Sequence, residues 1–319
     1  MDNNRINENV IELKSLTKKF GKQKEIVAVD SLSLEVKMGE VFGFVGPNGA
    51  GKTTTMKMMI GLLEPTSGTG KVAGFDIVRE VIRIREATGV LPEPAGFYDH
   101  LTARQNLRFY AKLYDIKPDV REKRVVDILT LVGLEKAIDQ KIGGFSTGMR
   151  KRFGLAQALI NEPNILFLDE PTSGIDPKGA QMMRDLVKHL SKEKGVTIFL
   201  SSHSMAEVEE ICDRIAIMEK GKLVALGTVE EFRNIVRQKD GVKYVLEVSD
   251  IDIRDLAGQL GRISAMRSIG VDDGTLHLHT EIAMHPEIAK YVKSMGGTIT
   301  RFEEEKMDLQ KIFMRLIEA

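Results

Sequence analysis

Apolar positions along the chain change period repeatedly, and each change predicts an element. Between Ile11 and Val36 they alternate with polar residues in short strand-like runs, with a turn at Lys19-Phe20-Gly21-Lys22-Gln23-Lys24. Val41-Phe42-Gly43-Phe44-Val45 is continuously apolar and predicts a buried strand, after which Met56, Met59 and Ile60 recur at helical spacing. A strand over Gly89-Val90-Leu91 breaks at Pro92 and Pro94, and a helical texture begins. Thr102 with Gln105 forms a capping box ahead of Leu107, Tyr110, Ala111 and Tyr114; a second stripe, Val125, Ile128, Leu129 and Val132, stops at Gly133. With the Phe153, Ala156, Leu159 and Ile160 face that follows, residues 95–160 read as a helical insertion.

Ile165-Leu166-Phe167-Leu168 and Val196 to Leu200 are further buried strands, separated by a helix bearing Met182, Met183, Leu186, Val187 and Leu190. Strands near 214–218 and 223–226 follow, and Thr228 with Glu231 caps a helix. From Val242 the order becomes strand, helix, hairpin at Asp272-Asp273-Gly274, helix, strand, and a last helix with Leu309, Ile312, Phe313, Leu316 and Ile317. Strand-helix-strand-strand-helix-strand predicts a small ferredoxin-like sandwich. The expected domains are 10–238 and 242–319, joined near Arg237 to Gly241, with 1–9 a loose polar end.

Composition narrows the function. A chain of 319 residues exceeds the usual single core, in agreement with two domains. Lys plus Arg equals Asp plus Glu at 46 each, which argues against a surface built for nucleic acid. The single cysteine, Cys212, excludes an internal disulfide and a cysteine-based zinc cluster, and it reads as an apolar filler in a protein of a reducing cytoplasm. Met1 to Asn9 carry no signal-peptide pattern, and no window approaches the ~18 consecutive apolar residues of a membrane helix. If the chain serves membrane transport, another subunit must supply the path.

The chemistry centres on Gly46-Pro47-Asn48-Gly49-Ala50-Gly51-Lys52-Thr53-Thr54, which fits G-x-x-x-x-G-K-[ST] at every fixed position. Such a loop curls its N–H groups around an anion at a helix N-terminus, Lys52 adds a charge for the β- and γ-phosphates, and the Thr53 hydroxyl is placed to ligate Mg²⁺. Asp169-Glu170 close a buried strand, where ligands of parallel sheets sit: Asp169 is a candidate for Mg²⁺ and Glu170 for polarising an attacking water. His203 ends another such strand and can face the same edge. Phe145-Ser146-Thr147-Gly148-Met149 opens a helix, and is either a second anion site or a simple cap. Phe20 is either a base-stacking aromatic or core. His277 and His279 share a strand face, which reads as solvated rather than as a metal pair.

Taken in order and spacing, the loop at 46–53, the turn at 145–149, Asp169-Glu170, the Ser173-Gly174-Ile175-Asp176 turn and His203 resemble an ABC transporter ATPase over residues 10–235. The chain is most similar to cytoplasmic ATP-binding subunits of an exporter branch that includes drug, sodium and polysaccharide efflux systems, and Asp308-Leu309-Gln310-Lys311-Ile312-Phe313 resembles the end of that branch's accessory domain. The resemblance implies an α/β P-loop NTPase with a mixed sheet and helical insertion, followed by the α+β ferredoxin-like domain. It further implies ATP and Mg²⁺, an integral membrane permease as partner, and a place on the cytoplasmic face of the membrane. A second copy would complete a head-to-tail sandwich, in which Ser146, Thr147 and Gly148 grip the γ-phosphate of the partner's ATP and Asp176 couples the two sites. The alternative is a soluble ATPase of the same type acting in DNA maintenance or translation, which normally needs long coiled coils or a second nucleotide domain. Three positions depart from the common pattern: Phe20 replaces a tyrosine, Glu93 a glutamine expected near Mg²⁺, and Thr147 and Met149 loosen the signature turn.

Overall fold

A computed structural model of the chain describes residues 8–21, 25–305 and 307–317. The expected loose end lies mostly outside these residues, but Asn9 is not part of it, since it already pairs with Lys37 in a strand. Two compact units divide between Gly227 and Thr228.

The first unit runs β1 (Asn9–Phe20), β2 (Ile26–Lys37), β3 (Val41–Val45), α1 (Lys52–Met59), β4 (Ser67–Val72), β5 (Phe75–Asp76), α2 (Val81–Ala87) and β6 (Thr88–Leu91). It continues through α3 (Ala103–Leu113), α4 (Pro118–Leu131), α5 (Thr147–Ala158), β7 (Ile165–Asp169), α6 (Pro177–Lys194), β8 (Thr197–Ser202), α7 (Met205–Ile211), β9 (Arg214–Glu219) and β10 (Lys222–Gly227). Its central sheet has the order β10-β9-β3-β8-β7-β6, parallel except for the antiparallel edge strand β10. An antiparallel sheet, β2-β1-β4-β5, accompanies it.

Both faces of the central sheet are buried, which is why its strands read as unbroken apolar runs. Along β7, Leu166 and Leu168 join a core shared with the helical insertion, whereas Ile165 and Phe167 join the core under the antiparallel sheet. Phe199 of β8 lies on that second side, its ring 5.7 Å from that of Phe167 and 5.6 Å from that of Phe42. The insertion is α3, α4 and α5, and the expected capping box at Thr102 and Gln105 is formed. Cys212 is half-buried and packs against the core as an apolar filler, its thiol pushed well up by desolvation.

Gly89 lets β6 approach the end of α5: a Cβ there would lie 1.9 Å from the Ala158 carbonyl oxygen and 2.8 Å from Leu166. Gly89→Ala should therefore cost about 1–3 kcal/mol of stability, the usual penalty of overpacking. Gly96→Ala, which meets nothing within 4 Å, should stay within about 0.5 kcal/mol of the parent in urea denaturation. Equal midpoints for the two variants would contradict the packing described.

The second unit comprises α8 (Val229–Asp240), β11 (Val242–Ser249), α9 (Ile253–Leu260), β12 (Met266–Asp272), β13 (Thr275–Thr280), α10 (His285–Ser294), β14 (Thr298–Glu304) and α11 (Leu309–Ile317). Its antiparallel sheet has the order β12-β13-β11-β14. Strands two, three, one and four across the sheet are the ferredoxin-like arrangement that the order of elements predicted. Leu246, Leu256, Leu276, Leu278, Ile288 and Val292 form its core. Helix α8, expected to end the first domain, groups instead with this unit. Side-chain bonds made at its far end account for that: Arg237 Nε donates to Glu304 at 2.8 Å and Arg233 Nε to the Met307 carbonyl at 3.4 Å. On β13, His279 Nε2 lies 2.6 Å from the Asp240 carbonyl and His277 is exposed. Among the described residues no group of three or more histidines, cysteines or carboxylates is placed to hold a metal.

Candidate functional site

β3 ends at Val45, the loop from Gly46 to Gly51 turns, and α1 begins at Lys52. Gly51 closes the turn at φ +105°, where a Cβ would stand 2.5 Å from the Ala28 carbonyl oxygen, so only glycine suits the position. Lys52 is buried, and its ammonium folds back into the loop, donating to the carbonyls of Gly46 at 2.6 Å and Pro47 at 3.2 Å. It also stands 4.0 Å from Glu170 Oε1. Burial pushes the Lys52 ammonium below its ordinary range, while Glu170 and then Asp169 oppose the shift.

Sheet order brings the other candidates to the same edge. β8 lies between β3 and β7, with Val45 beside Ser202 and Asp169 beside Ser201. The carboxyl ends of three parallel strands therefore meet at the loop, as expected for a ligand site on such a sheet. Thr53 Oγ1 donates to Asp169 Oδ2 at 3.1 Å, and the Ser201 hydroxyl donates to the other Asp169 oxygen.

Glu170 follows in the left-handed region at φ +48°, a conformation costing on the order of 1 kcal/mol for a residue with a Cβ. Its own N–H, donating to the Ser201 carbonyl at 3.0 Å, ties down that turn. Its carboxylate Oε2 sits 2.7 Å from His203 Nδ1. Glu170 and His203, 33 positions apart in the chain, are thus direct partners.

A cavity of about 240 Å³ lies over the loop. Asn48, Gly49, Gly51, Lys52, Thr53 and Thr54 line one part of it; Ala28, Glu93, Asp169 and Glu170 complete the lining. Glu93, expected at a metal, has its carboxylate taken by the ammonium of Lys151. Lys151 donates as well to the Glu170 carbonyl at 2.8 Å. The sequence reading missed Lys151, although a signal existed: it falls at i, i+4 and i+7 with the buried Leu155 and Ala158, a lysine on an apolar stripe.

Several candidates are outside this cavity lining, His203 among them, although it pairs with Glu170. Ser146 caps α5, accepting from the Met149 N–H at 3.3 Å, and neither it nor Thr147, Gly148 or Asp176 is in the cavity lining. Asp176 caps α6, accepting from the Gly179 N–H at 3.3 Å. The two turns are neighbours nonetheless: a Cβ on Gly148 would lie 3.6 Å from Ile175, and one on Gly174 3.8 Å from Thr147. Phe20 ends β1, partly exposed, with the Lys18 ammonium 5.3 Å from its ring centre, and it too is absent from the lining.

A glycine-rich loop between a buried strand and a helix, facing carboxylates at neighbouring strand ends, defines a P-loop nucleotide hydrolase. The ABC transporter family profile matches residues 29–173. The bacitracin transport ATP-binding protein BcrA of Bacillus licheniformis is 35% identical over 309 residues, covering 97% of this chain and 97% of that protein. The protein of the same name from Enterococcus faecalis is 36% identical and covers 98% of this chain. Among solved structures, the dimeric post-hydrolysis state of the ATP-binding cassette MJ0796, bound to ADP and Pi, aligns with a TM-score of 0.64 and 26% identity, over 69% of this chain and 98% of that one. The chain belongs to the ABC transporter ATP-binding proteins. It is an ATP-binding, ATP-hydrolysing subunit that powers a transporter of the exporter type. These relatives lend nothing to the alternative of a soluble ATPase in DNA maintenance or translation.

Proposed function

We propose that ATP binds over the loop from Gly46 to Thr54 and is hydrolysed by water activated at Glu170. The observation that carries this reading is the Glu170–His203 pair at 2.7 Å, on the same strand-end edge as Lys52 and Thr53. Loop N–H groups and Lys52 hold the phosphates, Glu170 takes the proton of the water, and His203 orients Glu170 and faces the γ-phosphate. Phe20 stacks on the base in place of the usual tyrosine.

The Thr53 hydroxyl and the Asp169 carboxylate, 3.1 Å apart, are hard oxygen donors of the kind Mg²⁺ takes alongside phosphates and water. Bound there, the ion would offset phosphate charge. Glu93, occupied by Lys151, is left at the margin of that donor set.

A site closed on one side only needs a second lid. Ser146, Thr147 and Gly148 lie at a helix N-terminus outside their own cavity, and this supports a head-to-tail dimer in which they cover the partner's ATP while Asp176 links the sites. The dimeric cassette of MJ0796 is consistent with such an assembly.

Among the described residues no helix is long and apolar enough to cross a membrane. We assign the transport path to an integral membrane permease, with this chain on the membrane's cytoplasmic face. A groove of about 880 Å³ supports that partner: it is lined by Met56, Ile60, Pro92, Tyr110, Leu113 and Tyr114, with Leu113 largely exposed. Membranes of producing cells, solubilised and passed over the tagged chain, should yield an integral membrane protein that stays bound. Recovery only from the soluble fraction, with ribosomes or DNA, would overturn the transport assignment.

A further inference from the structure

The cavity over the phosphate loop carries an imbalance of charge. Three carboxylates, Glu93, Asp169 and Glu170, face it against the single ammonium of Lys52, yet it must admit a polyanion. One of the three, Glu93, comes from the segment after β6 rather than from the Asp169-Glu170 strand end.

The compensating charge comes from behind the lining. Lys151, in the second turn of α5, is itself buried at 9% side-chain exposure, and it spans two groups: the Glu93 carboxylate and the backbone carbonyl of Glu170. The second bond fixes where its ammonium sits, and the first then fixes where Glu93 points. A buried ammonium of this kind needs hydrogen-bond partners, and Lys151 has two, of which the Glu170 carbonyl does not depend on Glu93.

We propose that Lys151 is a positioning residue that makes a carboxylate at 93 compatible with a nucleotide triphosphate, by holding Glu93 back from the phosphates and cancelling its charge. The proposal rests on the ATP site described above. Without Lys151, Glu93 is a third uncompensated negative charge beside the phosphates, and it is free to turn toward a divalent cation. Removing the lysine should thus weaken nucleotide alone more than nucleotide with metal, which loss of packing would not do.

The test measures equilibrium binding of a fluorescent ATP analogue to the full-length chain, in EDTA and in excess Mg²⁺. In EDTA, Lys151→Gln should bind about tenfold more weakly than wild type, the effect of one uncompensated charge roughly 10 Å away in a protein surround. In Mg²⁺ the deficit should shrink to within about threefold. Glu93→Gln added to Lys151→Gln should bring the EDTA affinity back to within about twofold of wild type. Glu93→Gln alone keeps the bond from Lys151 to the Glu170 carbonyl and leaves its charge unopposed, so it should tighten EDTA binding about tenfold. Equal weakening of Lys151→Gln in both media without rescue by Glu93→Gln would overturn the proposal. So would unchanged EDTA affinity in Glu93→Gln, an arm that holds even where Lys151→Gln does not fold. A wild type that binds no analogue would instead overturn the ATP site itself.

Discussion

Glu170→Gln should lower ATP turnover by about 10³-fold while leaving nucleotide binding intact, within the 10²- to 10⁴-fold usually lost with a general base. The amide has nearly the shape of the carboxylate and can still bond to His203, but it cannot take a proton from water. It also removes one negative charge from a cavity faced by Asp169 and Glu93, so ATP should bind at least as well as before. Hydrolysis is what would release a nucleotide held between two copies, so the variant with ATP and Mg²⁺ should elute from a sizing column as a dimer. Turnover within tenfold of wild type would remove Glu170 from its role. A monomer under those conditions, with ATP bound, would remove the sandwich instead. The same pair of measurements on His203→Ala would separate the orienting group from the base.

Lys52→Ala should lose about 10² to 10³ in turnover, the effect of removing one preorganised charge contact to the transition state. Binding should fall too, because Asp169 and Glu170 would then face the phosphates with no ammonium between them. The ammonium's bonds to the Gly46 and Pro47 carbonyls give it a second task, holding the loop's shape. Loss of that task would appear in the nucleotide-free protein as a lowered melting temperature, and loss of the phosphate contact as a smaller rise in melting temperature on adding ATP. Hydrolysis unchanged in Lys52→Ala would mean that the phosphates lie elsewhere.

Much of this site was legible because its parts are local. The loop, the Asp169-Glu170 pair and His203 each end an unbroken apolar run, and such runs become neighbouring parallel strands buried on both faces. The second unit was legible for a similar reason, since alternation and a hairpin turn marked its strands. What escaped notice was decided by partners distant in sequence. β4, over Ser67-Gly68-Thr69-Gly70-Lys71-Val72, shows almost no alternation and exists because β1 offers it an edge, with Ile11 opposite Val72 and Leu13 opposite Gly70. α2, with only Ile84 buried, offered little stripe to read. α8 was assigned to the wrong unit because its capping box reports where a helix begins and says nothing of what it packs against. Lys151 and Glu93 are 58 positions apart, and their pairing is settled by the meeting of β6 with α5.

That helix has a mechanical consequence. Ser146 caps its first turn, and Lys151 leaves its flank one turn later to hold Glu93 and the backbone of Glu170. At 1.5 Å of rise per residue the two positions are about 7.5 Å apart along the axis, too short a span for a hydrogen-bonded helix to flex. In the proposed sandwich, a shift of the helix start at Ser146 would be carried along the helix toward Lys151. One short rod would then read two ATP molecules, its tip sensing the foreign one and its side adjusting the home one.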